Sequence, residues 1–168
     1  MKITNTTRYS ISVKRDRSYN VTSPHGIKHF VCPDTVSGQK LYLVGLDGNL
    51  HYVGITNTSM SARINMGLKA NGKNGYHGYK WKSIRTPLTL DVFCWSGLGA
   101  IRKALEAIEA EVAYLCRNDT GEWPLSQTEI HFRPPSNEHK KIAKQIYEHF
   151  NTANKTNPSD NRWPELHI

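Results

Sequence analysis

Alternating apolar and polar positions predict strands in the first part of the chain. Residues 3–13 alternate in this way, and residues 27–31 form a second short run of apolar residues. A period of two is typical of strands with one buried face, so we expect two or three strands within residues 1–37. Residues 88–95 form the clearest single strand, and the glycines that follow it end the pattern.

Between these regions, the chain predicts a β-hairpin. Residues 41–44 are β-branched, aromatic or aliphatic, residues 45–49 are rich in turn formers, and residues 50–53 resume the strand pattern. Because side chains alternate between faces, Tyr42 shares a face with Val44, and Leu50 shares a face with Tyr52. We therefore expect the two phenols, Tyr42 and Tyr52, to stand side by side.

Three stretches carry apolar residues at helical spacing. The first follows the capping residues 56–59 and includes Met60, Ile64 and the pair Gly67-Leu68, with Arg63 one step off the stripe and able to reach over the hairpin. The second is a long stripe over residues 101–115, which the turn formers at residues 118–121 end. The third follows Ser136, a natural cap, and its inward set is Ile142, Ile146, Tyr147 and Phe150.

Together these elements predict an α+β fold, a small antiparallel β-sheet flanked by helices, with added N-terminal strands and a C-terminal helix. Residues 128–132 resemble a last strand. Residues 151–168 are rich in Asn, Thr, Pro and Asp, so we expect a loose tail pinned by Trp163. The 168 residues suit one domain, residues 1–168, in which residues 1–37 are a strand extension.

The remaining composition narrows the class of protein. No apolar run is long enough to span a membrane, and the N-terminus lacks the apolar stretch of a signal peptide, so we expect a cytoplasmic protein. The three cysteines, Cys32, Cys94 and Cys116, are odd in number and far apart. They are expected to be buried thiols rather than a disulfide framework or a zinc site.

The net charge of +8 favours a polyanionic partner such as nucleic acid, although many basic proteins bind none. In the N-terminal strands, Arg8, Lys14, Arg15 and Arg17 are candidates for phosphate contacts, or they protect exposed strand edges from aggregation. Residues 67–75 predict a mobile basic loop, and residues 76–82 mix aromatic rings with cations, which suits either a nucleotide surface or a core. The candidate nucleic-acid-binding residues here are Lys69, Lys73, Lys80 and Lys82.

Three glutamates lie on the predicted second helix. At 100° per residue, Glu106 points nearly opposite the apolar stripe, whereas Glu109 and Glu111 flank it on either edge. Either flanking carboxylate can reach a cleft beside the core. The alternative for each is a solvated surface charge.

The hairpin and the arginine resemble the GIY-YIG nuclease family. Tyr42 ends a strand as in the first family motif, Tyr52-Val53-Gly54 matches the second ten residues later, and Arg63 matches the helix arginine eleven residues past Tyr52. Two departures are clear: Lys40-Leu41 replaces the leading Gly-Ile, and Gly67 stands where many members place a His or Tyr. The resemblance covers residues 40–127, which we take as the nuclease core.

The resemblance implies several site assignments. It selects Glu109 over Glu111 as the ligand of a single divalent metal, Mg²⁺, for which Mn²⁺ should substitute. It gives Gln127 a supporting role, since Gln127 matches the Asn of a Pro-x-x-Asn motif that begins here at Pro124. His77 and Tyr76 are the candidates to replace the side chain that Gly67 lacks, with His77 taken as catalytic. Lys40 or Lys69 could supply charge instead.

This residue set suits phosphodiester hydrolysis. The metal stabilises the leaving oxygen, Arg63 donates a bidentate pair to the phosphate, and Tyr42 serves as the base, positioned by Tyr52. A free tyrosine has a pKa of about 10, so we expect Arg63 and the metal to lower the pKa of Tyr42.

The resemblance therefore predicts a metal-dependent endonuclease acting on double-stranded DNA. A chain without an obvious recognition module looks more like a restriction-type enzyme than a homing or repair nuclease, and a symmetric site implies a homodimer on DNA. The alternative is a catalytically inactive nucleic-acid-binding module of the same fold. A third interpretation is an RNA-directed or structural protein whose motif match is chance.

Overall fold

A five-stranded antiparallel sheet forms the centre of the protein, with strand order β2-β1-β5-β3-β4. The computed structural model describes residues 2–23, 25–95 and 102–155. The strands are β1 Ile3–Val13, β2 Tyr19–Thr22, β3 Lys40–Leu46, β4 Asn49–Thr56 and β5 Leu88–Trp95. The helices are α1 Met60–Lys69, α2 Arg102–Thr120 and α3 Asn137–Lys155, and two short 3₁₀ turns, Lys73–Gly75 and Lys80–Ser83, follow α1. The α+β prediction is confirmed.

The N-terminal strands are an integral part of this sheet. β1 pairs with β5 along nearly its whole length, and β2 adds to the other side of β1. Two strands therefore form within residues 1–37, which agrees with the expected number, but the second lies at Tyr19–Thr22 and not at residues 27–31. Residues 27–31 form no strand, because Phe30 instead turns inward and packs its ring edge-on against Tyr9.

Two apolar clusters lie on opposite faces of the sheet. On one face, Leu43 and Phe93 pack with the inward sides of α2 and α3. On the other face, Tyr42 and Val44 pack with α1 and with Trp81. Side chains of β3 therefore point alternately into the two clusters, which is why nearly every residue of that strand is buried.

A β-bulge changes the predicted faces of β4. The pairing register shifts between Val44 and Gly45, so that Val44 pairs with Tyr52 and Gly45 pairs with Leu50. The extra residue turns Leu50 toward α2 and α3 while Tyr52 packs on the α1 side. The prediction that Leu50 and Tyr52 share a face is wrong, but the bulge keeps Tyr52 on the face of Tyr42.

The predicted last strand at residues 128–132 does not form. The outer edge of β4 is already occupied, since Leu125 N–H donates to the Leu50 carbonyl and Ser126 N–H donates to the His51 carbonyl. The segment that follows has no regular structure, and Phe132 packs edge-on against Trp123.

The helix predictions hold with small changes. Ser59 caps α1 through its hydroxyl, and Ser136 Oγ accepts from His139 N–H at the start of α3. α3 continues through residues 151–155, which the sequence analysis placed in the tail. Ile101 and Trp163 lie outside the described residues. No helix in the described ranges is long and apolar enough to cross a membrane.

Three side chains differ from their predicted surroundings. Arg8 is buried in a two-pronged ion pair with Asp91 on the neighbouring strand, so it is not a phosphate contact. Glu106 is buried rather than solvated, because Arg102 and Arg133 both pair with its carboxylate. Cys94 and Cys116 are buried as predicted, but Cys32 is exposed.

Candidate functional site

Tyr42 lies at the centre of the site. It sits in the middle of β3, its side chain is fully buried, and its hydroxyl accepts a hydrogen bond of 2.9 Å from Arg63 Nε. Gly54 pairs with Tyr42 across the hairpin. A Cβ atom at position 54 would lie 2.6 Å from the Tyr42 hydroxyl oxygen, so only glycine leaves room for that oxygen. The requirement for glycine at the end of the Tyr-Val-Gly motif is therefore steric.

Arg63 is half-buried beside the apolar stripe of α1 and reaches this hydroxyl over the hairpin, as predicted. Its guanidinium lies 6.0 Å from the ring centre of Tyr42 and 5.5 Å from that of Tyr79. Nη1 lies 3.5 Å from the Tyr76 hydroxyl, a long hydrogen bond. The planar group is therefore held among phenols, which are weaker partners than a carboxylate and leave its charge available to an anion.

Tyr79 is the site residue that the sequence analysis missed. Its hydroxyl lies 2.9 Å from the Tyr42 hydroxyl and 3.3 Å from the Arg63 carbonyl oxygen, to which it can donate. Its ring stacks on Trp81 with 4.4 Å between ring centres. The aromatic run at residues 76–82 therefore serves the core and the site at once.

Gly67 explains how Tyr79 comes so close. A Cβ atom at position 67 would lie 2.1 Å from the Tyr79 ring, so the absent side chain of Gly67 is the space that the ring fills. This is the position where the resemblance leads one to expect a His or Tyr. The sequence signal was a glycine four residues after Arg63 together with an aromatic run downstream.

His77, the residue named for this role, lies elsewhere. It is exposed, and a Cβ atom at Gly72 would lie 2.7 Å from its ring. Within the described residues, no hydrogen bond joins the His77 ring to Tyr42, Arg63 or Glu109. Of the two candidates for this role, Tyr76 is the one that contacts Arg63.

Tyr52 completes the group of phenols. Its ring centre lies 5.9 Å from that of Tyr42 and 5.3 Å from that of Tyr79. The predicted pairing of Tyr42 with Tyr52 is therefore present. Tyr52 is only partly buried, so it is the more accessible of the two motif phenols.

Glu109 is the buried carboxylate of the site. It faces inward from α2, with 9% of its surface exposed, whereas Glu111 is more open. Burial raises the pKa of Glu109 to about 8, and the nearby charge of Arg63 opposes this rise. Glu109 in turn is one of the groups that raise the pKa of Tyr52, after burial and Tyr42. The four predicted residues Tyr42, Tyr52, Arg63 and Glu109 are thus close enough to act on one another electrostatically.

The phenols have pKa values opposite to the expectation. Burial holds the pKa of Tyr42 well above its ordinary value, the neighbouring Tyr79 adds to this, and Arg63 only partly compensates. Burial likewise raises the pKa of Tyr52 and of Tyr79. Arg63 alone therefore does not lower the pKa of Tyr42.

Gln127 supports the hairpin rather than entering the cluster. Its side-chain oxygen accepts from Val53 N–H at 3.0 Å, and its side-chain nitrogen donates to the Val53 carbonyl at 3.2 Å. The carboxamide thereby replaces one residue of a neighbouring strand at the edge of β4. This contact fixes the backbone between Tyr52 and Gly54.

The predicted lysines divide into two kinds. Lys69, Lys73 and Lys80 are exposed, whereas Lys82 donates to the carbonyls of Ala70 and His77. Lys40, considered as an alternative source of charge, is buried and donates to three backbone carbonyls, those of Val36, Gly38 and Thr58. Lys40 therefore has a structural role.

The donor set fits a single hydrated divalent ion better than a metal cage. Across the described ranges, no three His, Cys, Asp or Glu side chains lie together as a ligand group. Glu109, however, is a buried carboxylate to which no described residue donates a hydrogen bond. Mg²⁺ commonly binds through one or two carboxylates and retains its waters. A single carboxylate is compatible with such an ion when substrate phosphates and waters supply the other ligands.

The chain matches no protein-family model, no curated protein and no solved structure. The fold and the site define a small α+β domain in which an arginine is held among tyrosines, near a buried carboxylate.

Proposed function

We propose that this protein is a divalent-metal-dependent endonuclease that hydrolyses phosphodiester bonds of double-stranded DNA. The observation that carries the proposal is the hydrogen bond from Arg63 to Tyr42, with Glu109 buried on α2 and within electrostatic reach of Arg63. Among the described residues, Arg63 has no carboxylate as an ion-pair partner and Glu109 has no hydrogen-bond donor, so the two side chains complement a phosphate and a cation.

Arg63 binds the phosphate in this proposal. Its Nε–H is engaged with Tyr42, which fixes the plane of the guanidinium and leaves its outer N–H groups to donate to the phosphate oxygens. Glu109 would hold Mg²⁺ or Mn²⁺, which supplies Lewis-acid stabilisation of the leaving oxygen. Binding of a cation replaces the proton that burial favours on Glu109, so metal binding should strengthen as the pH rises toward about 8.

Tyr42 remains our choice for the base that takes the proton of the attacking water. Its hydroxyl is within reach of two donors, Arg63 Nε–H and the Tyr79 hydroxyl. When Tyr79 turns its proton from the Arg63 carbonyl to Tyr42, both donors stabilise the Tyr42 phenolate. The accessible Tyr52 is the alternative base, because the Tyr42 hydroxyl must be uncovered before water can reach it.

The DNA substrate also bears on sequence specificity, oligomeric state and location in the proposed function. Cleavage at a specific sequence, as restriction enzymes perform it, requires a homodimer on DNA if the site is symmetric. A cytoplasmic location is where such a protein meets its substrate.

A catalytically inactive nucleic-acid-binding module is the second candidate function. The full burial of Tyr42 and the raised pKa of Glu109 favour it, since both groups are uncharged in this environment at neutral pH.

Cleavage of supercoiled plasmid DNA with Mg²⁺, with Mn²⁺ and with excess chelator separates these candidates. We expect wild-type protein to nick or cut only with metal, and Glu109→Ala to lose cleavage while still binding DNA. Glu111→Ala is the matched control, on the same helix and more exposed, and should retain activity. Cutting in excess chelator would remove the metal from the mechanism, and a wild-type protein that binds but never cuts would support the inactive module.

A further inference from the structure

A second group of cations lies beside the site, in the turn between β1 and β2. Lys14, Arg15 and Arg17 are all exposed there. The one acid of the turn, Asp16, accepts from the backbone and side chain of Ser18 at 3.0 and 2.7 Å and is thereby held within its own turn. Within the described residues, the Lys14 and Arg15 side chains make no hydrogen bond.

The C-terminal end of α1 joins this turn to the loop that follows the helix. Arg17 Nη1 lies 3.4 Å from the Ala70 carbonyl oxygen, and Lys82 Nζ donates to the same oxygen at 2.8 Å. Carbonyl groups at a helix C-terminus carry partial negative charge and attract cations. Two cations from distant parts of the chain therefore share one acceptor.

Arg85 fixes the turn from the other side. Its Nη1 lies 3.2 Å from the Lys14 carbonyl and 3.1 Å from the Lys82 carbonyl. These contacts use backbone acceptors, and in the described part of the chain no ion pair joins Arg17, Lys82 or Arg85 to a carboxylate. Partial burial and the nearby charge of Arg17 both lower the pKa of Lys82.

We propose that this turn–helix surface, formed by Lys14, Arg15, Arg17, Lys69, Lys82 and Arg85, binds the phosphate backbone of a DNA duplex beside the cleaved bond. The proposal rests on the proposed function for its choice of DNA. The turn–helix surface gathers six cations around a single acid, Asp16, so the cations repel one another, and a polyanion offsets this repulsion. Binding to DNA also releases the counterions of the duplex, which favours association.

The length of α1 sets the distance between this surface and the site. Arg63 and Ala70 are seven residues apart, which is about 10 Å along a helix axis. One strand of a duplex rises about 3.4 Å per base pair, so with α1 lying along the duplex axis the surface meets phosphates about three base pairs from the one at Arg63.

The test measures binding of a fluorescently labelled duplex by anisotropy, in chelator and at several salt concentrations. Each phosphate contact contributes about 0.9 to the slope of log K against log salt. The double variant Lys14→Ala/Arg15→Ala should therefore bind more weakly and lose about 1.8 from that slope. The control is Lys140→Ala/Lys141→Ala, two exposed lysines on α3, across the sheet, and it should leave the slope unchanged.

The outcomes separate this surface from the nuclease proposal. If the wild-type protein cuts DNA and both double variants keep the wild-type slope, the proposed surface is wrong and the nuclease proposal stands. A protein that shows the expected loss of slope but never cuts supports the surface and counts against the nuclease. Tighter binding of duplex RNA than of duplex DNA, with the same loss of slope, would overturn the choice of DNA.

A second measurement tests the spacing. Once the cleaved bond is mapped, single phosphates are replaced by uncharged methylphosphonates. Replacement about three base pairs from the cut should slow wild-type cleavage more than it slows cleavage by Lys14→Ala/Arg15→Ala, which has already lost two of the cations that contact phosphates there. Equal effects on both proteins at every position would overturn the spacing.

Discussion

Arg63 contacts three tyrosines of the site. Its Nε–H bonds to Tyr42, its Nη1 approaches Tyr76, and its backbone carbonyl faces Tyr79. In the proposed function the side chain therefore has two tasks, to position a phenol and to bind a phosphate. Both tasks need the planar fork of the guanidinium, which lysine lacks.

Arg63→Lys should lose most cleavage even though the charge is kept. Removing a single donor to a developing charge costs on the order of 100-fold to 1,000-fold in rate, about 2.7–4 kcal/mol. Single-turnover cleavage at saturating protein measures the effect, and duplex binding should change little. Wild-type rates in this variant would assign Arg63 a purely electrostatic or structural role.

Tyr42→Phe should remove nearly all turnover, whereas Tyr52→Phe should be milder. Phenylalanine keeps the packed ring and deletes only the hydroxyl that contacts Arg63 and Tyr79. The pH limb of the single-turnover rate should also disappear in Tyr42→Phe. If that variant cuts within about tenfold of wild type, a deficit of about 1.4 kcal/mol, Tyr42 is not the base. If Tyr52→Phe loses more activity than Tyr42→Phe, Tyr52 is the base.

At the scale of elements, the packing of α1 against the loop after it decides the shape of the site. Gly67 on the helix receives the Tyr79 ring from the loop, and the Gly67 carbonyl accepts from Tyr79 N–H at 3.2 Å. A helix that tolerates glycine in its interior gives up about 0.5–1 kcal/mol relative to alanine. Here that loss makes room for a third phenol.

Gly67→Ala should therefore destabilise the protein and weaken cleavage. The added methyl group collides with the Tyr79 ring, and overpacking of this kind costs about 1–3 kcal/mol. The sign should reverse when the ring is absent: in a Tyr79→Ala background, Gly67→Ala should be neutral or stabilising, because alanine is the better helix former. Urea unfolding of the four proteins of this double-mutant cycle measures the coupling. Additive effects would show that the two residues do not share this space.

For the whole molecule, the buried carboxylate of Glu109 makes global stability depend on pH. Its folded pKa of about 8 lies above its ordinary value of 4.5, so the folded state retains the proton more strongly. The stability that this proton provides is complete below the unfolded pKa and is lost as the pH rises through the folded pKa. Between about pH 5 and pH 8, wild-type stability should fall because of this group.

Glu109→Gln should remove that loss. The amide keeps the shape of the protonated carboxyl group and does not titrate, so in chelator the free energy of unfolding should depend less on pH than in wild type. Denaturant unfolding at several pH values between the two pKa values measures the difference, with Glu111→Gln as the control. Mg²⁺ should restore wild-type stability at high pH and leave Glu109→Gln unaffected. If the free energies of unfolding of wild type and Glu109→Gln vary with pH in parallel, the Glu109 side chain is not desolvated in the folded protein.

The sequence by itself determined the elements that depend on local pattern. The hairpin, β5 and the three helices were predictable because periodicity, turn residues and caps act within a few positions. Helix geometry left Glu109 and Glu111 as equal candidates, and only the resemblance of the motifs to the GIY-YIG family implied that Glu109 belongs with Tyr42, Tyr52 and Arg63.

Only the tertiary structure decided the contacts between distant segments. The bulge at Val44 and Gly45 selected the face of Tyr52, and residues 125–127 closed the edge of β4 before a further strand could pair there. Tyr79 entered the site because Gly67, twelve positions earlier, has no side chain. The same holds for charge, because Arg8 and Glu106 are buried by partners that lie 83 and 27 residues away. Such pairings are long-range packing events, and no local pattern in the chain encodes them.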